Sequence, residues 1–203
     1  APSVGENLQD HYQMRLVVRL TGKGSLNTAC RNPIKLLEWG LKWLVSASGP
    51  LTVGAGQVGG AACTKFSEGG RPDVQLFIMP LSLDRAGEPL HKYPGFTAIV
   101  WQCHPQSRGK IAIKSTNPFD PPKIEPNYFK RSIDRKVMVE GVKILRKIFA
   151  QPSFRKLWDI ETIPGTEFSS DQEIWEQISK YGTTIYHPVG TCRMGVDDQA
   201  VVD

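Results

Sequence analysis

A block of short strand-like segments in the middle of the sequence restricts the folds that this chain can adopt. Three strand-like runs are predicted at Gln57–Phe66, Val74–Leu83 and Gly95–His104, and clean alternation of apolar and polar residues predicts a fourth strand at Arg108–Ser115. The sequence Ser107-Arg108-Gly109 between the last two segments predicts a hairpin at that point. A further strand is predicted at Tyr12–Leu20, ending at the turn residues 21–24.

Helices are predicted on both sides of the strand block. Pro33 opens the first, and its apolar residues recur at helical spacing: Ile34, Leu37, Leu41 and Leu44. A long helix with an apolar face is predicted from about Ser132 to Ala150. Ser170 followed by Glu173 predicts the capped start of another helix, which ends near Tyr181. Because the strands form one block with helices around it, we expect an α+β fold, an antiparallel β-sheet flanked by helices.

The charge distribution argues against a nucleic-acid partner. The chain has 25 basic and 20 acidic residues, and its formal net charge of +5 is spread along the sequence. A nucleic-acid-binding protein would concentrate its basic residues on one stripe or tail. The densest basic stretch, Lys130–Lys136, contains Asp134 and opens an amphipathic helix, which is typical of a solvated helix face.

The sequence also lacks signals for a membrane segment, a disulfide framework or a metal site. No run approaches the roughly 18 apolar residues that a membrane-spanning helix needs. The four cysteines are far apart, at Cys30, Cys63, Cys103 and Cys192. Such spacing predicts reduced thiols in a cytoplasmic protein, with neither disulfides nor zinc.

One glycine-rich segment imitates a dinucleotide-binding motif. Gly54–Gly59 matches Gly-x-Gly-x-x-Gly, and Asp73 lies near the distance at which an acid would meet a ribose. However, only Leu51–Val53 could form the preceding strand, no clear helix follows, and Asp73 precedes its apolar run. The segment therefore predicts a glycine-rich strand packed closely against a neighbour, and no cofactor-binding residue is predicted in this chain.

The segment Tyr186–Gly195, with the sequence Tyr-His-Pro-Val-Gly-Thr-Cys-Arg-Met-Gly, is the most unusual in the chain. Pro188 biases His187 toward an extended conformation, and Gly190 permits a tight turn or a close approach. A histidine on such a loop can act as an acid or base near neutral pH. From these residues alone, His187 fits either a catalytic or a structural role.

Five blocks of the sequence, in order, resemble the glucose-methanol-choline (GMC) oxidoreductases, including their choline dehydrogenase-like members. The blocks are Val4–His11, Ser107–Ile111, Asn117–Phe129, Met138–Gly141 and Tyr186–Gly195. The first resembles the segment that leads from the flavin domain to the substrate domain, and the last resembles the active-site signature. The resemblance covers essentially the whole chain.

The resemblance implies a flavin-dependent alcohol oxidoreductase in which His187 matches the catalytic histidine. That histidine accepts the hydroxyl proton of a small-molecule alcohol while hydride passes to FAD. A second catalytic His or Asn is expected beyond Asp203, and the flavin-binding domain is expected outside this chain. We therefore expect an excised fragment that does not hold FAD tightly, is inactive alone, and self-associates through the apolar surface where the flavin domain would sit.

The expected organisation has three parts. Residues 1–11 would be a remnant of the link from the flavin domain, 12–185 the substrate-binding domain, and 186–203 the active-site loop with the start of the return to the flavin domain. Choline is one candidate substrate, although the stretch Gly56–Ala62 has no acid, and Trp101 and Tyr186 are the available aromatic faces. The alternative function is a standalone, non-catalytic module of the same fold that binds a ligand or partner.

Overall fold

The computed structural model of the chain describes residues 2–22, 24–85 and 87–203. Its strands are β1 Tyr12–Leu20, β2 Val58–Ala62, β3 Val74–Met79, β4 Gly95–Gln102, β5 Lys110–Ala112, β6 Lys123–Glu125, β7 Trp158–Ile163 and β8 Thr183–Thr184. An antiparallel sheet has the order β2-β3-β4-β1-β7, with β8 also paired to β1, and β5 pairs separately with β6. Ala1 of the predicted link and Lys23 of the predicted turn lie outside the described residues.

The helices are α1 Leu26–Ala29, α2 Pro33–Ser46, α3 Ser132–Phe149, α4 Pro152–Arg155 and α5 Asp171–Tyr181, with a single 3₁₀ turn at Pro50–Thr52. The Asn32 side chain accepts hydrogen bonds at the start of α2, and Ser170 with Glu173 forms the predicted capping box of α5. An antiparallel sheet with helices is the predicted α+β class, so that prediction is confirmed.

The predicted hairpin at residues 107–109 is wrong. β4 pairs with β1 and β3, whereas β5 pairs with β6. The reason is Asp134, a buried carboxylate in the first turn of α3, which accepts hydrogen bonds from the Gln102 side chain and from the backbone N–H groups of Gln106 and Ser107. These bonds hold the chain against α3 as it leaves β4, and β5 has no free edge of β4 to join because β1 and β3 occupy both edges.

The pairing register divides the side chains of the sheet between two faces, because successive residues of a strand point to opposite sides. One surface, the helix face, packs against α3 and α5. It is formed by these apolar side chains: Met14, Leu16, Val18, Val74, Leu76, Phe96, Ala98 and Val100. The approach of α3 is close, since a Cβ on Gly141 would lie 2.7 Å from a methyl carbon of Val100.

The opposite surface, the loop face, carries more polar and aromatic side chains. Across β1, β3 and β4 these are Gln13, Arg15, Val17, Gln75, Phe77, Thr97, Ile99 and Trp101. The connection between β3 and β4 folds over part of it, where Thr97 donates a hydrogen bond to the Leu81 carbonyl at 3.0 Å. The Asn27 side chain fixes this connection by hydrogen bonds to Ser82 and to the Tyr93 carbonyl.

The predicted helix α2 forms but stays largely uncovered. Trp39 is its one buried side chain. Its predicted apolar positions are each more than half exposed: Ile34, Leu37, Leu41 and Leu44.

Candidate active site

The loop that carries His187 is held by the segment that precedes β1. Gln9 and Val189 exchange two backbone hydrogen bonds, both 2.8 Å, and the Gly5 N–H donates to the Thr191 carbonyl at 2.9 Å. Gly190 has a φ of +93°, and a Cβ there would lie 2.5 Å from the Asn7 carbonyl oxygen. Glycine is therefore required at this position both for its conformation and for the close contact.

Asp10 joins three separate parts of the chain at the base of this loop. Its Oδ1 accepts hydrogen bonds from the backbone N–H groups of His11 (2.8 Å) and His187 (3.0 Å). Its Oδ2 accepts hydrogen bonds from the hydroxyls of Thr184 and Tyr128. The Thr184 hydroxyl in turn accepts the Tyr186 N–H at 2.8 Å. The backbone on both sides of the Tyr186–His187 peptide is thus fixed, while the His187 side chain remains exposed.

The hydrogen bonds at Asp10 favour its ionised form. Burial is the largest single influence and alone would raise its pKa, but the bonds from Thr184, Tyr128 and the two backbone N–H groups outweigh it, so the pKa is lowered. Burial and the hydrogen bond donated to Asp10 raise the pKa of Tyr128 to about 12. A neutral phenol therefore donates to a charged carboxylate, which is a strong, charge-assisted arrangement.

A second histidine lies beside His187. The ring centroids of His11 and His187 are 5.9 Å apart, with the planes at 70°. Burial, followed by the proximity of His187, lowers the pKa of His11, and its buried Nδ1 has no hydrogen-bond partner among the described residues. His11 therefore favours the neutral form, and this pair places an exposed imidazole next to a half-buried, neutral one.

The glycine motif is confirmed as a packing feature of the sheet. A Cβ on Gly56 would lie 1.5 Å from the Phe77 ring, and one on Gly59 would lie 2.8 Å from it. The motif leads into β2, not into a helix. Asp73 is buried and accepts hydrogen bonds from the backbone N–H and hydroxyl of Thr64, so its carboxylate is already occupied.

The two predicted aromatic faces differ in their surroundings. Trp101 is 9% exposed on the loop face, with its ring centroid 6.2 Å from that of Phe77. Tyr186 is 76% exposed and has a φ of +61°, which is uncommon for a residue with a side chain. Tyr186 is therefore the more available of the two to a ligand beside His187.

Sequence reasoning missed Asp10, Thr184 and Tyr128, which fix the backbone at His187. The available signal was the pair Asp10-His11 directly before a strand, in one of the blocks that carry the family resemblance. Nothing in the spacing shows that one carboxylate reaches residues more than one hundred positions away.

Within the described residues, no three His, Cys, Asp or Glu side chains form a group that could hold a metal ion. No helix in that same part of the chain has the length and apolar character needed to cross a membrane.

Two curated bacterial proteins align with the entire chain. An alcohol dehydrogenase [acceptor] from Pseudomonas putida is 38% identical over 202 residues, covering 100% of this chain and 36% of the relative. An oxygen-dependent choline dehydrogenase from Klebsiella pneumoniae (strain 342) is 33% identical over 211 aligned positions, again covering 100% of this chain and 36% of the relative. The chain thus spans about a third of the length of these relatives.

Solved structures and a family model also match this chain. A formate oxidase from Aspergillus oryzae superposes with a TM-score of 0.85 at 23% identity, over 94% of this chain and 38% of that one. Pyridoxine 4-oxidase from Mesorbium loti gives a TM-score of 0.76 at 23% identity, over 100% of this chain and 35% of that one. These two likenesses show a shared fold. Residues 105–203 match the family model described as GMC oxidoreductase. Residues 105–203 therefore belong to the C-terminal region of the GMC oxidoreductase family, and the chain as a whole is similar to the two bacterial dehydrogenases.

Proposed function

We propose that the protein containing this chain oxidises a small-molecule alcohol with FAD, and that His187 is the base that accepts the hydroxyl proton. The observation that carries the proposal is the exposed His187 imidazole on a backbone fixed by Asp10 and Thr184. The names of the two bacterial relatives, an alcohol dehydrogenase and a choline dehydrogenase, support the reaction class. The rigid base of the loop suits a group that must meet its substrate in a defined position.

The chemistry assigned to this chain is proton transfer and orientation. His187 lies beside the neutral His11, so a proton taken from the substrate would reside on an exposed ring next to an uncharged neighbour. General base catalysis of this kind contributes about 10²- to 10⁴-fold in rate. When bound, FAD supplies the acceptor for the hydride of the alcohol.

The described residues fit only part of what FAD requires. The one match to a phosphate-binding motif does not fit, because the Phe77 ring fills the space beside Gly56 and Gly59. The exposed imidazole of His187 does fit a reacting flavin and alcohol. We therefore propose that the nucleotide part of FAD is held outside this chain, and that the isolated chain neither retains FAD nor turns over alcohol. Purifying it with FAD and recording the visible absorption spectrum tests this; a yellow, active preparation would contradict it.

We propose the same division of the chain that the sequence suggests. Residues 1–11 serve as the link to a flavin domain, 12–185 form the substrate-binding domain, and 186–203 hold the active-site loop. The two backbone hydrogen bonds between Gln9 and Val189 support this division, because they place the first and last parts side by side.

The alcohol itself is proposed only by class. Choline remains one candidate, although Gly56–Ala62 carries no carboxylate that could bind a quaternary ammonium group. The flavin domain is the proposed macromolecular partner, and no nucleic-acid partner is proposed. A cytoplasmic location is also proposed, because all four cysteines have free thiols.

Self-association of the isolated chain is a further proposal. It rests on the apolar side chains along α2, each more than half exposed: Ile34, Leu37, Leu41 and Leu44. Size-exclusion chromatography should show concentration-dependent dimers or larger species, and Leu41→Glu should reduce them. A clean monomer at high concentration would contradict the proposal.

The central experiment replaces His187 in the full-length flavoprotein. His187→Asn and His187→Ala should lower kcat for alcohol oxidation by about 10²- to 10⁴-fold while FAD stays bound. His104→Asn, at another exposed histidine, is the matched control and should retain activity. If the natural protein carries no flavin and binds an alcohol without oxidising it, the standalone non-catalytic binding module becomes the better assignment.

A further inference from the structure

Arg15 is a half-buried cation whose Nε finds no acceptor in the part of the chain that the structure describes. It lies in the middle of β1 on the loop face, opposite Ile99 of β4. Its Nε is buried and has no hydrogen-bond partner among the described residues. Burial lowers the pKa of its guanidinium, because partial removal from water disfavours the charged form. A buried donor of this kind is costly unless a ligand or another part of the protein supplies an acceptor.

Arg15 opens onto a cleft next to the proposed catalytic loop. The cleft has a volume of about 350 Å³ and is lined by Gln13, Asp84, Arg85, Lys180 and Tyr186, among others. A volume of this size suits a small organic ligand. Tyr186 is the residue directly before His187, so one wall of the cleft is continuous with the loop that carries the proposed base.

The charges around the cleft favour an anion. Arg15, Arg85 and Lys180 line it, and Asp84 is the one carboxylate among the lining residues. That carboxylate already faces the His91 ring, with Asp84 Oδ1 and His91 Nε2 3.1 Å apart. The Tyr186 phenol is close enough to Arg15 to interact with it electrostatically. The cleft thus offers more positive charge than its own acidic groups can balance.

We propose that this cleft binds the carboxylate of an alcohol substrate, with the Arg15 guanidinium as the main recognition group. The inference rests on the proposed function, because it assigns the anionic end of the same substrate whose hydroxyl meets His187. A guanidinium presents parallel N–H donors that match the two oxygens of a carboxylate. The same positive charge disfavours a quaternary ammonium group at this position.

Binding of three matched probes to this chain tests the proposal. The probes are benzyl alcohols that carry a para carboxylate, a para carboxamide or a para trimethylammonium group, and calorimetry or chemical-shift titration gives each Kd. We expect the carboxylate to bind most tightly and Arg15→Met to weaken it by about 10- to 100-fold. Arg19→Met is the control, since Arg19 lies on the same strand and face but pairs with exposed Asp159. It should leave the Kd unchanged.

Two outcomes would overturn the proposal. The first is an equal Kd for the carboxylate and the carboxamide probes, and the second is a Kd for the carboxylate probe that Arg15→Met leaves unchanged. Arg15→Gln is a second variant in case the apolar replacement unfolds the chain, and thermal melting identifies that case. His187→Asn should leave probe binding intact while lowering kcat in the full-length flavoprotein by about 10²- to 10⁴-fold. Carboxylate binding that depends on Arg15 without any turnover would refute the proposed function but not the anion-binding cleft.

Discussion

The two faces of the central sheet share the same strands but differ in what covers them. On the helix face, apolar side chains such as Leu16 and Val100 pack against α3 and are fully buried. On the loop face, the neighbouring residue Arg15 remains half-buried beside a cleft, and polar groups such as Thr97 bind the overlying connection. Alternation along β1 therefore places Leu16 in the apolar core and the adjacent Arg15 beside the cleft.

The comparison predicts that equivalent substitutions have unequal effects on the two faces. A side chain on the helix face has protein on every side, so its loss leaves a cavity or an unpaired group. On the loop face Val17 and Thr97 are also buried, but Arg15 borders the cleft, and the loss of a side chain in such a position changes binding more than stability. The following substitutions test this difference.

The largest effect is expected at the ion pair beneath the helix face. The Glu161 side chain is 0% exposed, and Arg146 binds it with Nη2–Oε1 at 2.6 Å and also donates to the carbonyls of Phe168 and Gly165. Arg146→Met would leave a buried carboxylate unpaired and should lower the free energy of unfolding by about 3–5 kcal/mol. Urea denaturation measures this.

The matched loop-face substitution is Arg19→Met, which breaks the pair with Asp159. Both side chains of that pair are at least 40% exposed, so we expect a loss of about 0–1 kcal/mol. Equal losses for the two arginine variants would refute the distinction between the faces.

The next prediction compares one leucine on each of the two long helices. Leu145 of α3 is 0% exposed against the sheet, whereas Leu41 of α2 is 54% exposed. Leu145→Ala should lower the free energy of unfolding by about 2–5 kcal/mol, and Leu41→Ala by about 0.5 kcal/mol or less. Thermal or urea unfolding of the two variants, at concentrations where the chain is monomeric, distinguishes them. A comparable loss at Leu41 would mean that α2 is covered in solution.

The same pair shows how far the sequence can predict the fold. Apolar spacing predicted both α2 and α3, and both form. The spacing of apolar residues predicts that a helix has an apolar face, but not which element covers that face. The sequence therefore could not show that α3 is buried and α2 exposed. The β1 bounds were predicted at Tyr12–Leu20 because the strand alternates and ends at a glycine-containing turn.

Tertiary contacts account for the elements that were predicted wrongly or missed. The hairpin prediction failed because Asp134 holds the residues after β4, an effect that no local pattern reports. β7, Trp158–Ile163, was missed, since its register against β1 shifts twice and only Glu161 is buried among its residues. At the site, the residues alone identified His187 as unusual, whereas the role of Asp10 depends on contacts with Thr184 and Tyr128 across the chain.

A smaller effect is expected where glycine meets the loop face. Gly56→Ala places a Cβ 1.5 Å from the Phe77 ring, while Gly60 has nothing within 4 Å of an added Cβ. Gly56→Ala should lower the free energy of unfolding by about 1–3 kcal/mol and move the Phe77 ring. Gly60→Ala should change it by less than about 1 kcal/mol. Trp101 fluorescence reports the ring movement, because Phe77 is its aromatic neighbour at 6.2 Å. Equal effects of both variants would show that Phe77 does not fill this space.

The smallest effect is expected at Asp10, at the base of the loop that carries His187, and this effect depends on pH. Because its pKa in the folded chain is lowered below the ordinary 3.8, the carboxylate contributes stability that is fully present above that value. The contribution disappears as the pH falls through the lower, folded pKa. Asp10→Asn should therefore cost about 1 kcal/mol or less at neutral pH, since the amide oxygen keeps part of the acceptor role.

Unfolding curves for wild type and Asp10→Asn at a series of pH values measure this difference. The difference in the free energy of unfolding between the two proteins should be constant near neutral pH. It should disappear as the pH falls below 3.8. Amide hydrogen exchange at His187 adds a local readout, because the His187 N–H donates to Asp10. Faster exchange in Asp10→Asn, with little change in global stability, would show that this carboxylate mainly positions the histidine loop. If the difference in the free energy of unfolding remains at acidic pH, the ionised form of Asp10 is not what holds that loop.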